Sequence, residues 1–525
     1  MNLTLTPIRF KQRAETYFGN KVGIVDGDIR MTYREFGERA NRLSNALIGL
    51  GIKRGERIAW LGYNSHELLE AYYGVVQMGA VLLPLNIRLT PAEIGFILND
   101  SDTVAVFYNR DLQPIVDGVR KQASGVKQYI PLEANGDGND YETLVTAAGT
   151  EFTPPSDIKD DDLAELFYTS GTTANPKGVM MTHRNLYMHA LQVIAGLAVD
   201  DTVVQLHTIP LFHVNGWGTP HTLSCMGARH ILVKKFDPTE VLELIQKERV
   251  TNVALVPTMA NAIINHPSLG EYDLSSLDYI AIGGAASPVD LIRLVEQKIG
   301  CRAYGGYGLT ETVPVLTQSF IKDHLKDEPD EERWRRQAMA GFPMPGVEID
   351  IFDPDDKPVA HDGTSVGEVV VRADNVMAGY WKLPEETANV MRSGWFHTGD
   401  MATVDEHGYF LIVDRKKDII ISGGENIASI EVEKAVYSHP AVFECAVVAV
   451  PDDRWGEVPK ALVVVKPGES LSEQEVIDHC RTKLPGFKVP KSVEFFDALP
   501  KGGTGKILKK ELREKYWAGY EKRVH

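Results

Sequence analysis

The feature that most limits the fold is the strand–helix repetition of the first hundred or so residues. Thr32-Tyr33-Arg34-Glu35 is a capping box, a Thr cap with Glu three positions on, and Phe36, Ala40, Leu43, Leu47 and Leu50 follow at helical spacing until Gly51. Arg57 to Leu61 reads as a strand, Ser65 to Met78 as a helix and Ala80 to Pro84 as a second strand. Thr90-Pro91-Ala92-Glu93 repeats the capping box with Pro at the first helical position, and Val104 to Tyr108 is a third strand. Such alternation needs crossover connections and predicts a mostly parallel α/β sheet. It continues through roughly 160–345, interrupted by Gly/Thr/Ser-rich segments. Between about Gly346 and Phe410 the strand-like runs Val347–Phe352 and Val366–Val371 have no good helix between them, which suggests an antiparallel or barrel-like patch.

Residues 415–525 read as a separate α+β unit, with apolar runs Val442–Val450 and Ala461–Val465 and a capped helix at Ser472-Glu473-Gln474-Glu475. The expected organisation is a large α/β body over 1–414, with the barrel-like patch, and a small mobile α+β domain over 415–525. A length of 525 residues suits such a division. The small unit has a net charge of +2 and the remainder −19, which fits either a mobile pair or plain surface decoration.

The total charge of −17 disfavours general nucleic-acid binding, which depends on Lys and Arg neutralising phosphates. The four cysteines, Cys225, Cys301, Cys445 and Cys480, form no Cys-x-x-Cys pair, so buried free thiols are expected. No apolar run is long enough to span a bilayer, and the first 20 residues do not read as a signal peptide, so the expectation is a cytoplasmic protein.

The densest chemical signal follows the apolar strand Leu163 to Phe167: Tyr168-Thr169-Ser170-Gly171-Thr172-Thr173-Ala174-Asn175-Pro176-Lys177-Gly178. Backbone amides and hydroxyls could donate to a polyphosphate while Lys177 supplies a point charge. The same composition fits a solvated hydroxyl-rich loop. It is not a Walker loop, because Pro176 precedes Lys177 and Gly178 follows it. Glu311, after a Gly-containing turn, could hold Mg²⁺, a hard cation that prefers oxygen, or be an exposed loop carboxylate. Tyr307, between Gly306 and Gly308, could stack on a flat ring or be a core tyrosine.

Taken together with further motifs, this string resembles the adenylate-forming superfamily, the acyl-CoA synthetases and their relatives. In the family's order come Phe212-His213-Val214-Asn215-Gly216-Trp217, Gly283-Gly284-Ala285-Ala286, Tyr307-Gly308-Leu309-Thr310-Glu311-Thr312, Trp395-Phe396-His397-Thr398-Gly399-Asp400, Asp414-Arg415-Lys416-Lys417-Asp418, Ser422-Gly423-Gly424-Glu425-Asn426-Ile427 and Pro500-Lys501-Gly502-Gly503-Thr504-Gly505-Lys506. The resemblance covers nearly the whole chain.

It implies a phosphate loop of Thr169, Ser170, Gly171, Thr172, Thr173 and Lys177, with Thr169 and Glu311 on Mg-ATP. Gly284, Ala285, Gly306, Tyr307, Gly308 and Thr310 would surround adenine. Asp400 and Arg415 would take the ribose, although lone Asp and Arg residues mostly lie on surfaces. Lys506 would approach the carboxylate and α-phosphate during adenylation; its charge spacing alone also fits a solvated tail. Lys417 falls at the hinge. Gly423, Gly424 and Glu425, with Trp455 nearby, would line the path of CoA. His213, Val214, Trp217, Gly283 and Gly308 would form the acyl pocket, with Trp217 as a gate or as part of a packed aromatic cluster.

The implied reaction joins a carboxylic acid, medium- or long-chain, to AMP from ATP and then to CoA. Other readings are a ligase for a short-chain, aryl or sulfur-containing acid, an enzyme loading a separate carrier protein, since 19 residues follow Lys506, and a non-catalytic nucleotide-binding protein. A homodimer is a family-level expectation.

Overall fold

The fold is that of a computed structural model describing residues 3–134, 138–169, 176–285, 287–416, 418–423, 425–452, 454–501 and 507–517, the side chains of Asn215 and Asn426 aside. Ser170, Gly171, Thr172, Thr173, Lys417, Gly424 and Lys506 lie outside the described residues. Two compact units emerge, one of Met1–Glu348 with Val371–Phe396, the other of Ile349–Val370 with His397–His525.

The first unit contains two large sheets. In one, Arg302–Gly308, Tyr279–Ile282, Asn252–Leu255, Val204–His207, Arg229–Leu232 and Val22–Asp26 lie side by side and parallel, with antiparallel strands on both edges. Leu206, Ile231, Val253, Leu255, Ile280 and Ile282 pack on Leu242, Ile245, Ile263, Ile292 and Val295 of the crossover helices. Burial on both faces explains why these strands are continuous apolar runs. The other sheet places the parallel strands Leu163–Thr169, Val81–Pro84, Arg57–Leu61, Thr103–Tyr108 and Gln128–Pro131 together, and Lys177–Thr182 returns antiparallel along Leu163–Thr169.

The capping boxes at Thr32, Thr90 and Ser472 are all formed. The expected helix Ser65 to Met78 instead stops at Gly74 and resumes as a single 3₁₀ turn, Val76–Met78. Ser44 Oγ donates to the Gly74 carbonyl at 2.6 Å, taking an acceptor that a continuous helix would use itself.

The barrel-like patch is present as a sheet in the order Val347–Phe352, Gly367–Ala373, Trp395–Val404 and Met391–Arg392, with Phe410–Arg415 also pairing Trp395–Val404. The second unit contains a separate five-stranded sheet. Its long antiparallel hairpin, Val442–Asp452 with Gly456–Val465, buries Val447, Ala461 and Val463 against Val432, Val436, Val476 and Ile477 of two helices. All four cysteines are buried and unbridged, and burial pushes the thiols of Cys301 and Cys480 up to about 12 and about 11. Among the described residues no helix is long and apolar enough to cross a membrane.

Candidate active site

In the first unit the two ends of the hydroxyl-rich loop are fixed by a β ladder. Leu163–Thr169 and Lys177–Thr182 pair with Thr169 directly opposite Lys177. Lys177 Nζ donates to Glu386 Oε2 at 2.5 Å and lies 5.1 Å from the ring centre of Tyr380. The Tyr380 hydroxyl donates to Glu311 Oε1 at 3.0 Å. Burial, then the charge of Glu311 and the bond to it, hold the Tyr380 phenol far above its ordinary value.

Backbone bonds bring this group together. Residues 375–381 form a strap whose Met377 N–H donates to Glu311 O, Ala378 N–H to Met180 O and Trp381 N–H to Gly178 O. Asn375 Nδ2 adds a bond to Thr312 O at 2.6 Å. The strap thereby links Lys177, and Thr169 opposite it, to Glu311, which lies more than a hundred positions further along the chain.

Glu311 sits in the 3₁₀ turn Thr310–Thr312, which follows the strand Arg302–Gly308. A Cβ at Gly308 would stand 1.9 Å from Pro314 O, so only glycine lets the chain turn here. Tyr307 is half-buried rather than a core residue, and Thr310 is buried.

The acyl-pocket candidates cluster at another strand end. His213 is half-buried and immediately precedes Val214–Met226, a helix whose opening is unusual: Val214, Gly216, Trp217 and Gly218 have φ of 41°, 52°, 69° and 77°. Left-handed backbone costs an L-residue about 1–2 kcal/mol, and a β-branched Val is a marked outlier. Such strain persists only where the surroundings impose it. Asn64, buried, accepts from Leu211 N–H and donates to His207 O and Ile209 O, pinning the chain just before the turn. At Gly218 the backbone presses on His189, whose Nε2 accepts from Val315 N–H at 3.2 Å. Burial drives the His189 pKa down to about 3, so the ring is neutral and can accept. The Trp217 ring lies over Gly283 and Gly284, within 3.0 Å of where a Gly283 Cβ would be, and Val256 borders Gly284. Gly284 and Ala285 are exposed.

In the second unit, Asp400 and Arg415 are direct neighbours across Trp395–Val404 and Phe410–Arg415, with Arg415 Nε 3.4 Å from Asp400 Oδ1. Gly423 has φ of 61°; its N–H donates to Trp455 O, and a Cβ there would meet the Trp455 ring at 2.6 Å. Glu425 pairs with Ser422 across the same turn. The loop carrying Lys506 is closed at its base: Lys501 and Ile507 form a bridge, Leu508 N–H donates to Pro500 O, and Lys501 pairs with Glu444 at 2.5 Å.

Residues 10–381 match the family model for AMP-binding enzymes, and residues 431–506 match that for the AMP-binding enzyme C-terminal domain. The chain belongs to the AMP-binding enzymes. It is an AMP-forming acid–CoA ligase. Among curated relatives it is 37% identical to a long-chain-fatty-acid–CoA ligase of Thermus thermophilus, over 97% of this chain and 95% of that one. It is 40% identical to a feruloyl-CoA synthase of an Amycolatopsis species, over 93% and 95%. Among solved structures, ATP-bound MatB from Rhodopseudomonas palustris superposes with a TM-score of 0.88 at 29% identity, covering 99% of this chain and 100% of that one.

Sequence reasoning about this AMP-binding enzyme missed Tyr380, Glu386, Asn64 and His189. Tyr380 and Glu386 sit in an ordinary Gly-Tyr-Trp and Pro-Glu-Glu context, and only the pairing of Gly379–Tyr380 with Lys177–Thr182 brings them to the site. Asn64 had a faint signal, a lone amide just after an apolar strand.

Proposed function

We propose that the acid is a medium- or long-chain fatty acid and that the residues assembled above divide two half-reactions between them. The observation that carries this reading is the apolar strand end at Gly283–Gly284, covered by Trp217 and bordered by Val256. Two glycines leave room that an indole fills, and a ring on a strained turn can be displaced by an alkyl chain. The relative that activates long-chain fatty acids supports the same reading.

In the first half-reaction the hydroxyl-rich loop and Lys177 take the triphosphate. Thr169 and Glu311 offer a hydroxyl and a carboxylate, the hard oxygen donors that fit Mg²⁺, and these residues would hold it. Bound there, Mg²⁺ would neutralise triphosphate charge. Tyr307, Gly284 and Ala285 border the adenine, and Asp400 and Arg415 take the ribose hydroxyls. A carboxylate is already ionised at neutral pH and needs no general base. Its oxygen bonds to the α-phosphorus, the bond to pyrophosphate breaks, and the Lys506 ammonium offsets the charge that develops. In the second half-reaction the CoA thiol gives up its proton to solvent, its sulfur bonds to the acyl carbon, and the bond from that carbon to the phosphate oxygen breaks to release AMP, with Gly423, Gly424, Glu425 and Trp455 along the thiol arm. The small domain over 415–525 turns about Lys417 between the two steps.

The test is pyrophosphate release across acids of graded length with CoA present. Highest kcat/KM for unbranched acids of eight or more carbons supports the reading. A maximum for hydroxycinnamic acids would favour the second reading, an aryl-acid ligase, for which the 40% identity to the feruloyl-CoA synthase speaks.

A further inference from the structure

Tyr380 and Glu386 touch the two groups that the proposed function assigns to the triphosphate, and the inference drawn from them rests on that reading. Both come from one short stretch. Gly379–Tyr380 pairs antiparallel with Met180 and Val179, and Glu386 lies in the first turn of the helix Pro384–Val390. Tyr380 N–H donates to Thr387 Oγ1 at 2.9 Å, and Thr387 Oγ1 donates to Leu383 O, so the tyrosine and the helix form one rigid piece. A Cβ at Gly379, with φ of 145°, would lie 2.8 Å from Thr387, so the close approach requires glycine.

The contacts of this piece differ in kind. Tyr380 gives a neutral donor to Glu311 Oε1 and the face of its ring to Lys177. A phenol, which ordinarily titrates at about 10, is protonated at neutral pH and donates through its O–H. A hydrogen bond to one carboxylate oxygen fixes the rotation of that carboxylate, as outer partners of metal ligands do. Glu386 is different: it is an anion, 42% exposed, paired at 2.5 Å with an ammonium that is 13% exposed. An exposed carboxylate is readily rehydrated, so the pair is easily broken. Lys177 also rests over an aromatic face that will hold a cation without competing for its hydrogen bonds.

We infer that Tyr380 is a positioning residue that orients Glu311 toward Mg²⁺, and that Glu386 is the resting counter-ion of Lys177, surrendered when a triphosphate binds. Tyr380 therefore aids nucleotide binding only when the metal is present, and Glu386 opposes it always. The two effects have opposite signs, which a general loss of packing could not produce.

The experiment measures equilibrium binding of a non-hydrolysable ATP analogue, α,β-methylene-ATP, to the full chain by calorimetry, in Mg²⁺ and in EDTA, without acid or CoA. For Tyr380→Phe, which keeps the ring over Lys177, the tightening brought by Mg²⁺ should shrink about fivefold with affinity in EDTA unchanged, the scale of one hydrogen bond. For Glu386→Gln, binding should tighten about three- to tenfold in both conditions. Equal weakening of Tyr380→Phe in Mg²⁺ and EDTA would overturn the orienting role, and unchanged or weaker binding by Glu386→Gln would overturn the counter-ion role. Glu311→Gln and Lys177→Ala separate this from the reading beneath it. If Glu311→Gln keeps the full Mg²⁺ increment, or Lys177→Ala binds as tightly as wild type, the assignment of those two groups fails. If both lose affinity while Tyr380→Phe and Glu386→Gln match wild type, only the present inference falls.

Discussion

The two compact units hold their candidate groups in different ways. In the first, Thr169 and Lys177 terminate paired strands, Glu311 follows a glycine that nothing else could replace, and Lys177 is almost covered and doubly engaged by Glu386 and Tyr380. In the second, Asp400 is buried on its strand, but the groups from Arg415 onward stand at strand ends and turns open to solvent: Arg415 is 52% exposed and Trp455 43%. A preorganised charge stabiliser must not reorganise when substrate arrives, whereas a group that acts in one step and must be absent in the next has to be free to leave. In the function proposed here, the first unit grips and the residues from 415 onward present.

The sharpest way to break that contrast is to remove the grip. Lys177→Ala and Glu311→Gln should each slow acid-dependent pyrophosphate release about 10²- to 10³-fold, the range for loss of one fixed charge-stabilising group. Pre-steady-state assays at saturating acid would show it, and near-normal rates would mean that the strand ends are scaffolding only. In the second unit, ahead of the moving domain, Asp400→Ala should raise the KM for ATP about 10- to 100-fold with little change in kcat, since charge-assisted bonds to two hydroxyls are lost from both ground and transition states. A fall in kcat at constant KM would place Asp400 elsewhere in the cycle.

Smaller again is Gly423→Val. A side chain at φ 61° and 2.6 Å from the Trp455 ring must displace the turn. Thioester formation from supplied acyl-AMP should slow about tenfold by backbone strain, with adenylation intact. Loss of adenylation instead would show that the turn serves both steps.

The mildest test is acidity. Burial lowers His183 to about 4 and His189 and His207 to about 3, all in the first unit. In the unfolded chain these rings take a proton near 6.5, so between that pH and about 4 the unfolded state binds more protons and stability falls as pH falls. Each ring contributes up to about 1.4 kcal/mol per pH unit. Hydrogen exchange at pH 7 and pH 5 should show residues 183–230 losing protection before residues 442–465. The reverse order would contradict the burial argument.

The parallel sheets, the capping boxes and the barrel-like patch were legible because each rests on local periodicity or a cap within four residues. The family was legible because its motifs are contiguous strings. Tyr380 was not, since its meaning lies in a hydrogen bond to a residue 69 positions away. The left-handed turn at Val214–Gly218 was hidden as well: a valine and a tryptophan give no local hint of positive φ, and the residues packed beside the turn, Asn64 and His189, come from other elements. The helix break at Gly74 has the same origin, a serine from a neighbouring helix.

The claim at the centre of this account is that gripping and presenting are separate tasks, with Lys506 serving adenylation alone. The direct measurement is the pair of half-reactions in Lys506→Ala: pyrophosphate release from acid and ATP, and acyl-CoA formation from supplied acyl-AMP and CoA. The account predicts that the first falls about 10²-fold or more while the second stays near wild type. Equal loss in both would contradict it.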